Sequence, residues 1–205
     1  MSKESRDQLN NLLRKLSEID YVHPEDIPNI DLYVDQVTTF IDTQLESVKR
    51  NSDDKTLTKT MINNYTKNHV LPSPEKKKYS RDHVLTLILI YYLKSFLSIS
   101  DIQAIINPVT EKYFGTDSDL SFFDVYSELV NLENGETKIL IKDVMSKYKT
   151  SHQTFKNAPE EDQEFLQNFA FICTLAFDVY VKKMMIENII DSMNPETKED
   201  ASDES

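Results

Sequence analysis

The sequence predicts a mostly helical protein, and three observations carry that expectation. Only two of the 205 residues are glycine, Gly115 and Gly135, where average usage of about 7% would supply roughly fourteen. Type I′ and II′ hairpins draw on glycine, so a fold made of many tight β-turns is disfavoured. Apolar residues recur at steps of three and four along most of the chain, the period of an amphipathic helix. Prolines stand between these stretches, at Pro24, Pro28, Pro72, Pro74, Pro108 and Pro159, where a missing amide donor and a restricted preceding residue stop helices.

Taken in order, Leu9, Leu12, Leu13, Leu16 and Ile19 form the first helical stripe, over residues 6–19. His23-Pro24 and Ile27-Pro28 break it. Asp31 is the expected N-cap of a second helix with Leu32, Val37, Phe40, Ile41, Leu45 and Val48 inward. Residues 51–55 are polar and read as a loop. A short helix from Leu57 to His69 carries Leu57, Met61, Ile62 and Tyr65 on one side, with Pro72 and Pro74 expected to end it and to turn the chain. Ser80 is the expected cap for a strongly apolar helix from Arg81 to about Leu97, expected to be central and buried. Ser98 or Ser100 opens another helix through Ile102, Ile105 and Ile106, expected to stop at Asn107-Pro108.

Beyond Gly115, a C-cap or linker turn, Leu120 to Leu132 and Ile139 to Tyr148 read as two amphipathic helices turned at Asn134-Gly135. Pro159 followed by Glu160, Glu161 and Asp162 suits the first turn of a long helix reaching about Met193, where the helix dipole favours anions. Residues 194–205 are polar and acidic and are expected to be disordered. The domain expectation is therefore residues 1–108, residues 109–193 and an acidic tail.

Composition narrows the function classes. At 39% apolar and 28% charged the chain is globular. Its longest apolar run, Val84 to Leu93, falls short of the ~18 residues of a membrane helix. The first residues contain no apolar secretory segment, and the single Cys173 reads as a small core residue, so a cytoplasmic location is expected. Glycines twenty residues apart exclude a dinucleotide turn or a glycine-rich phosphate loop. His23, His69, His83 and His152 show no metal-ligand spacing with one another or with Cys173, so no metal or cofactor is expected. Asp117 and Asp119 lack the rest of a calcium loop and suit a helix N-cap. Phe165, Phe169, Phe171, Phe177 and Tyr180 are expected to be core more than pocket. Met184, Met185, Ile186, Ile189, Ile190 and Met193 suit either a core or a dimer seam. No enzyme activity is expected.

Charge is distributed unevenly. Residues 48–94 hold ten cations (Lys49, Arg50, Lys55, Lys59, Lys67, Lys76, Lys77, Lys78, Arg81 and Lys94) against four anions, a local +6. The rest of the chain then carries −18 of the net −12. A basic segment inside an acidic protein reads as a charged binding surface or as a solvated face.

The basic segment also carries a pattern. Leu57-Thr-Lys-Thr-Met-Ile-Asn-Asn-Tyr65, Val70-Leu-Pro72, the lysines 76–78, Tyr79-Ser-Arg81, the apolar helix and Leu97-Ser-Ile-Ser-Asp-Ile102 follow one another. Over about fifty residues this string resembles the winged helix-turn-helix of the mercury-resistance (MerR) type of bacterial regulators. Asn63 stands where that type usually carries arginine. The chain as a whole, through Leu32-Tyr-Val-Asp-Gln-Val37 and Thr58-Lys-Thr-Met-Ile-Asn-Asn-Tyr65, also resembles a family of low-GC Gram-positive bacteria catalogued as a domain of unknown function.

The resemblance implies a mostly all-α fold, a winged helix-turn-helix with a possible small β wing, followed by a helical domain. Lys59, Thr60, Asn63, Asn64 and Lys67 would face the major groove, where asparagine pairs with adenine. Lys76, Lys77, Lys78, Tyr79 and Arg81 would meet phosphates from the wing. Double-stranded DNA is the expected partner of a transcriptional regulator, with homodimerisation through the C-terminal helices. A protein-interaction adaptor built on the same scaffold is the alternative.

Overall fold

The computed structural model describes residues 9–11, 13–14, 21–49, 51, 53–116 and 119–193. Among these, six helices and one two-stranded sheet follow in the order β1 (Leu32–Tyr33), α1 (Val34–Gln44), α2 (Lys59–Lys67), β2 (Lys78–Tyr79), α3 (Arg81–Leu93), α4 (Ile99–Tyr113), α5 (Phe122–Ser151) and α6 (Glu160–Met193), besides the helical residues 9–11 and 13–14. Single 3-10 turns lie at Pro24–Asp26 and Glu46–Val48.

The expected cap at Asp31 is not where α1 begins. Leu32 and Tyr33 are extended and pair antiparallel with Tyr79 and Lys78, Leu32 facing Tyr79 and Tyr33 facing Lys78. Leu32 and Tyr79 are both buried, so strand pairing hides two apolar side chains that a longer helix would have left further apart. The Tyr33 amide donates to Gln36 Oε1 at 2.9 Å, and α1 then buries Val37 and Ile41, with Leu45 just beyond its end.

Helix α2 opens on Thr58, whose Oγ1 accepts the Met61 amide at 3.2 Å, and it buries Ile62 and Tyr65. Its end precedes the prolines expected to stop it. His69 takes a left-handed φ of 55°. The Val70 amide reaches back to the Tyr65 carbonyl at 2.9 Å and the His69 amide to Thr66 at 3.1 Å. That is the Schellman termination, with buried Val70 supplying its apolar contact.

Helix α3 is the buried centre that the sequence predicts, with Val84, Leu85, Leu87, Ile88 and Ile90 all inside. At its start the Ser80 amide donates to His83 Nδ1 at 3.0 Å. Helix α4 is capped by Ser98 Oγ, which accepts the Asp101 amide at 3.1 Å. It does not stop at Asn107-Pro108 but carries Pro108 within it to Tyr113. Pro108 sits beside Ala104 on an open groove, where solvent can hydrate the Ala104 carbonyl that proline leaves without a donor. Gly115 follows with φ +63°, and its amide donates to the Asp82 carboxylate at 2.8 Å.

The chain divides into two compact units. One contains residues 21–131 and the end of α6 from Glu187. In it α1 packs against β1, β2, α2 and α3, and the buried Tyr126 hydroxyl on α5 donates to the Val22 carbonyl at 2.8 Å. The other contains residues 132–186 with the described N-terminal residues 9–11 and 13–14, which are helical. Its buried cluster is Leu9, Val144, Tyr148 and Phe171, backed by Leu13 and Leu175.

Three expectations for this half are corrected: the turn at Asn134-Gly135, the aromatic core on α6 and the placing of Cys173 in a core. The chain does not turn at Asn134-Gly135, because α5 runs unbroken for 30 residues. One interior glycine costs a helix about 1 kcal/mol, too little to break one this long. The aromatic series on α6 is not core: Phe171 is buried, while Phe165, Phe169, Phe177, Tyr180 and Cys173 are exposed. The cluster on α5 covers only the face of α6 that carries Phe171 and Leu175. Leu12, Leu16, Ile19, Asp117 and the tail 194–205 lie outside the described residues. Among those described, no helix is long and apolar enough to cross a membrane.

Candidate nucleic-acid interface

The exposed side of α2 follows from its buried side. Ile62 and Tyr65 point inward, so at 3.6 residues per turn Thr60, Asn63, Asn64 and Lys67 fall on the opposite face, and all four are exposed together with Lys59. Five candidate residues therefore share one surface. Their chemistry is uncharged hydrogen bonding flanked by two cations. No group of three or more metal-ligating side chains occurs among the described residues.

The second cluster lies at the tip of the turn into β2. The prolines do not make this turn. The Glu75 carbonyl accepts the Lys78 amide at 2.8 Å, and Lys76 and Lys77 between them have φ of 48° and 65°. Two consecutive positive φ values define the tight hairpin turn in which asparagine and glycine are preferred. Here both central residues are lysine and both are exposed. Lys78 follows in β2, with its ammonium 5.8 Å from the centre of the Tyr33 ring. Tyr33 belongs to this patch and is missed by a reading that begins a helix at Asp31. The strand-prone sequence Leu32-Tyr33-Val34 is the signal that marks it.

Other candidates are placed elsewhere. Tyr79 is 4% exposed and is a core residue. Arg81 stacks its guanidinium 3.8 Å above the Phe123 ring and donates to the Pro24 carbonyl at 2.6 Å. Both are held inside the fold rather than offered to a ligand. Lys59 is exposed but forms an ion pair with Asp35 of α1.

The same sorting reduces the ten cations of residues 48–94. Lys49 is held by Glu46 at 2.6 Å and Asp42 at 2.9 Å, and those hydrogen bonds raise its pKa above the ordinary lysine value. Lys94 donates to the Thr56 carbonyl at 2.6 Å, and burial lowers its pKa. Arg50 lies outside the described residues. Lys55, Lys67 and Lys76 to Lys78 remain as exposed cations around α2 and the turn.

His83 sits behind the turn. Its ring meets Tyr79 and Phe114 edge-on at 5.4 and 4.7 Å. Burial holds its pKa below the ordinary imidazole value. The Ser80 amide donates to Nδ1, which therefore carries no proton of its own.

The family profile described as Domain of unknown function (DUF1836) matches residues 22–129. No curated protein and no solved structure matches the chain. The profile begins and ends within two residues of the segment Tyr21–Asn131, the larger part of one compact unit that also takes in the chain from Glu187. It covers more than half of the 205 residues, and the chain belongs to the DUF1836 family.

Proposed function

We propose that residues 21–131 contain a winged helix-turn-helix that binds double-stranded DNA, as part of a transcriptional regulator acting as a homodimer. Helix α2 is the recognition helix, presenting Thr60, Asn63, Asn64 and Lys67 to the major groove. The turn at Lys76-Lys77, with Lys78, is the wing and meets phosphates.

The observation that carries the reading is the backbone of that turn. A residue with a side chain costs about 1–2 kcal/mol in left-handed conformation, and asparagine or glycine would relieve the strain at both positions. Lysine adds only length and charge at the tip. Charged residues at two strained, exposed positions point to a ligand of opposite charge, and a phosphate backbone is such a ligand. Tyr79 and Arg81 serve the wing from behind, the first by packing and the second by tying the start of α3 to Pro24.

A mobility-shift titration against a mixed pool of duplexes at about 50 mM salt tests this directly, since phosphate contacts are strongest at low salt. Retarded complexes are expected. Replacing Asn63 and Asn64 with Ala should level the preference among duplexes while leaving total binding at low salt, because base contacts specify and phosphate contacts hold. Absence of binding to every duplex would remove the reading and leave the adaptor alternative.

A further inference from the structure

Helix α6 carries more apolar surface than its own unit covers. One face, with Phe171 and Leu175, packs on Val144 and Tyr148 of α5 and on Leu9. A second face runs Phe165, Phe169, Ile172, Ala176, Val179, in alternating steps of four and three, the spacing of a coiled-coil seam. Its large members are open to solvent: Phe165 is 71% exposed, Phe169 52%, Ile172 62% and Val179 61%. Phe177 and Tyr180 widen the strip at 65% and 64%.

At ordinary side-chain areas these six residues present roughly 700 Å². The largest apolar patch on a typical monomer is about 300–600 Å². Closing the strip against a copy of itself would bury roughly 1,400 Å², inside the range of standard specific interfaces. The unit's own described buried cluster has four residues, a small core for the helical segments 132–151 and 160–186 that it holds.

We infer that this face is a self-association seam in which α6 packs antiparallel against α6 of a second copy of this chain. Register and charge select both the occupant and the direction. The seam is symmetric about residue 174, so a twofold axis there sets Ile172 opposite Ala176, Phe169 opposite Val179 and Phe165 opposite Lys183. Each pair matches a larger side chain with a smaller or flexible one, as interdigitation requires, and the Lys183 stem covers the ring.

Charge gives the same direction. Glu160, Glu161, Asp162 and Glu164 open the helix, while Lys182 and Lys183 lie about twenty residues on. Antiparallel packing about that axis brings Glu164 level with Lys182 and Lys183, whereas parallel packing would stack every charged group on its own copy. The inference rests on the homodimer of the preceding reading and on nothing about DNA.

The test uses the full chain without nucleic acid. Light scattering at micromolar concentration should give about 48 kDa, twice the 23.9 kDa of one chain. Phe169→Glu with Ile172→Glu should return it to about 24 kDa with helical circular dichroism retained, since both residues are exposed in one copy.

Direction is read by a bifunctional maleimide whose spacer matches the 8–10 Å between packed helices. Cys173, next to the axis, should cross-link efficiently. Lys183→Cys in a Cys173→Ser background should not, because antiparallel copies of that position lie about 27 Å apart. A wild-type mass near 24 kDa would overturn the seam, its face then being covered within one chain or kept for a different protein. So would a dimer that survives the double substitution, and cross-linking at position 183 would overturn the direction. A dimer that ignores DNA leaves the seam standing, and a DNA-binding monomer removes only the seam.

Discussion

Lysine is a costly residue in a left-handed turn, and this chain uses two in succession at Lys76 and Lys77. Replacing them together by Asn-Gly is expected to raise stability by about 1–2 kcal/mol, seen as a higher midpoint in chemical denaturation. The same change should weaken DNA binding, and a gain in stability with binding unchanged would separate the turn from the ligand. The strain was not legible in the sequence, because three adjacent lysines read equally well as any solvated loop. His83 acts in a different way. Its folded pKa lies below the unfolded value because burial disfavours the charged ring. The unfolded chain therefore takes up a proton first as pH falls through about 6.5, so the folded state loses stability below that pH. His83→Gln keeps an acceptor for the Ser80 amide and should flatten the fall in thermal midpoint between pH 7 and 5. An unchanged slope would assign the pH dependence to other groups.

At the scale of elements, periodicity identified the helices better than their ends. Helix α3 was legible in its start and its burial, because apolar residues on most of its sides require burial, but it ends at Leu93 and not near Leu97. Helix α2 was legible through Ile62 and Tyr65, and with it the exposed face of Thr60, Asn63, Asn64 and Lys67. The misreadings came where tertiary contacts outweigh local signals. Leu32-Tyr33 became a strand because β2 was there to pair with it. Helix α4 absorbed Pro108, and α5 absorbed Gly135, since one local penalty is small against a long helix. Tyr126 supplies a further prediction. Its hydroxyl reaches the Val22 carbonyl across 104 residues of sequence, inside the core. Tyr126→Phe leaves that carbonyl without its donor and should cost about 1–3 kcal/mol, measured as a lower denaturation midpoint. No change would mean that water replaces the hydroxyl.

For the whole molecule, a net charge of −12 argues against nucleic acid unless it is segregated. Segregation was legible as the +6 of residues 48–94, but its meaning was not. Lys49, Lys94 and Arg81 turned out to serve the fold, through contacts with Glu46, Thr56 and Pro24 that no spacing rule reveals. What remains for a ligand is a smaller set, dominated by Lys76, Lys77 and Lys78. The claim that these contact phosphates is tested most directly by the salt dependence of binding. Fluorescence anisotropy with a labelled duplex should give a log–log slope against salt that is shallower by up to about three units in the Lys76→Ala, Lys77→Ala, Lys78→Ala triple variant than in the wild type. Parallel lines for the two proteins, or no binding by the wild type at about 50 mM salt, would contradict the account.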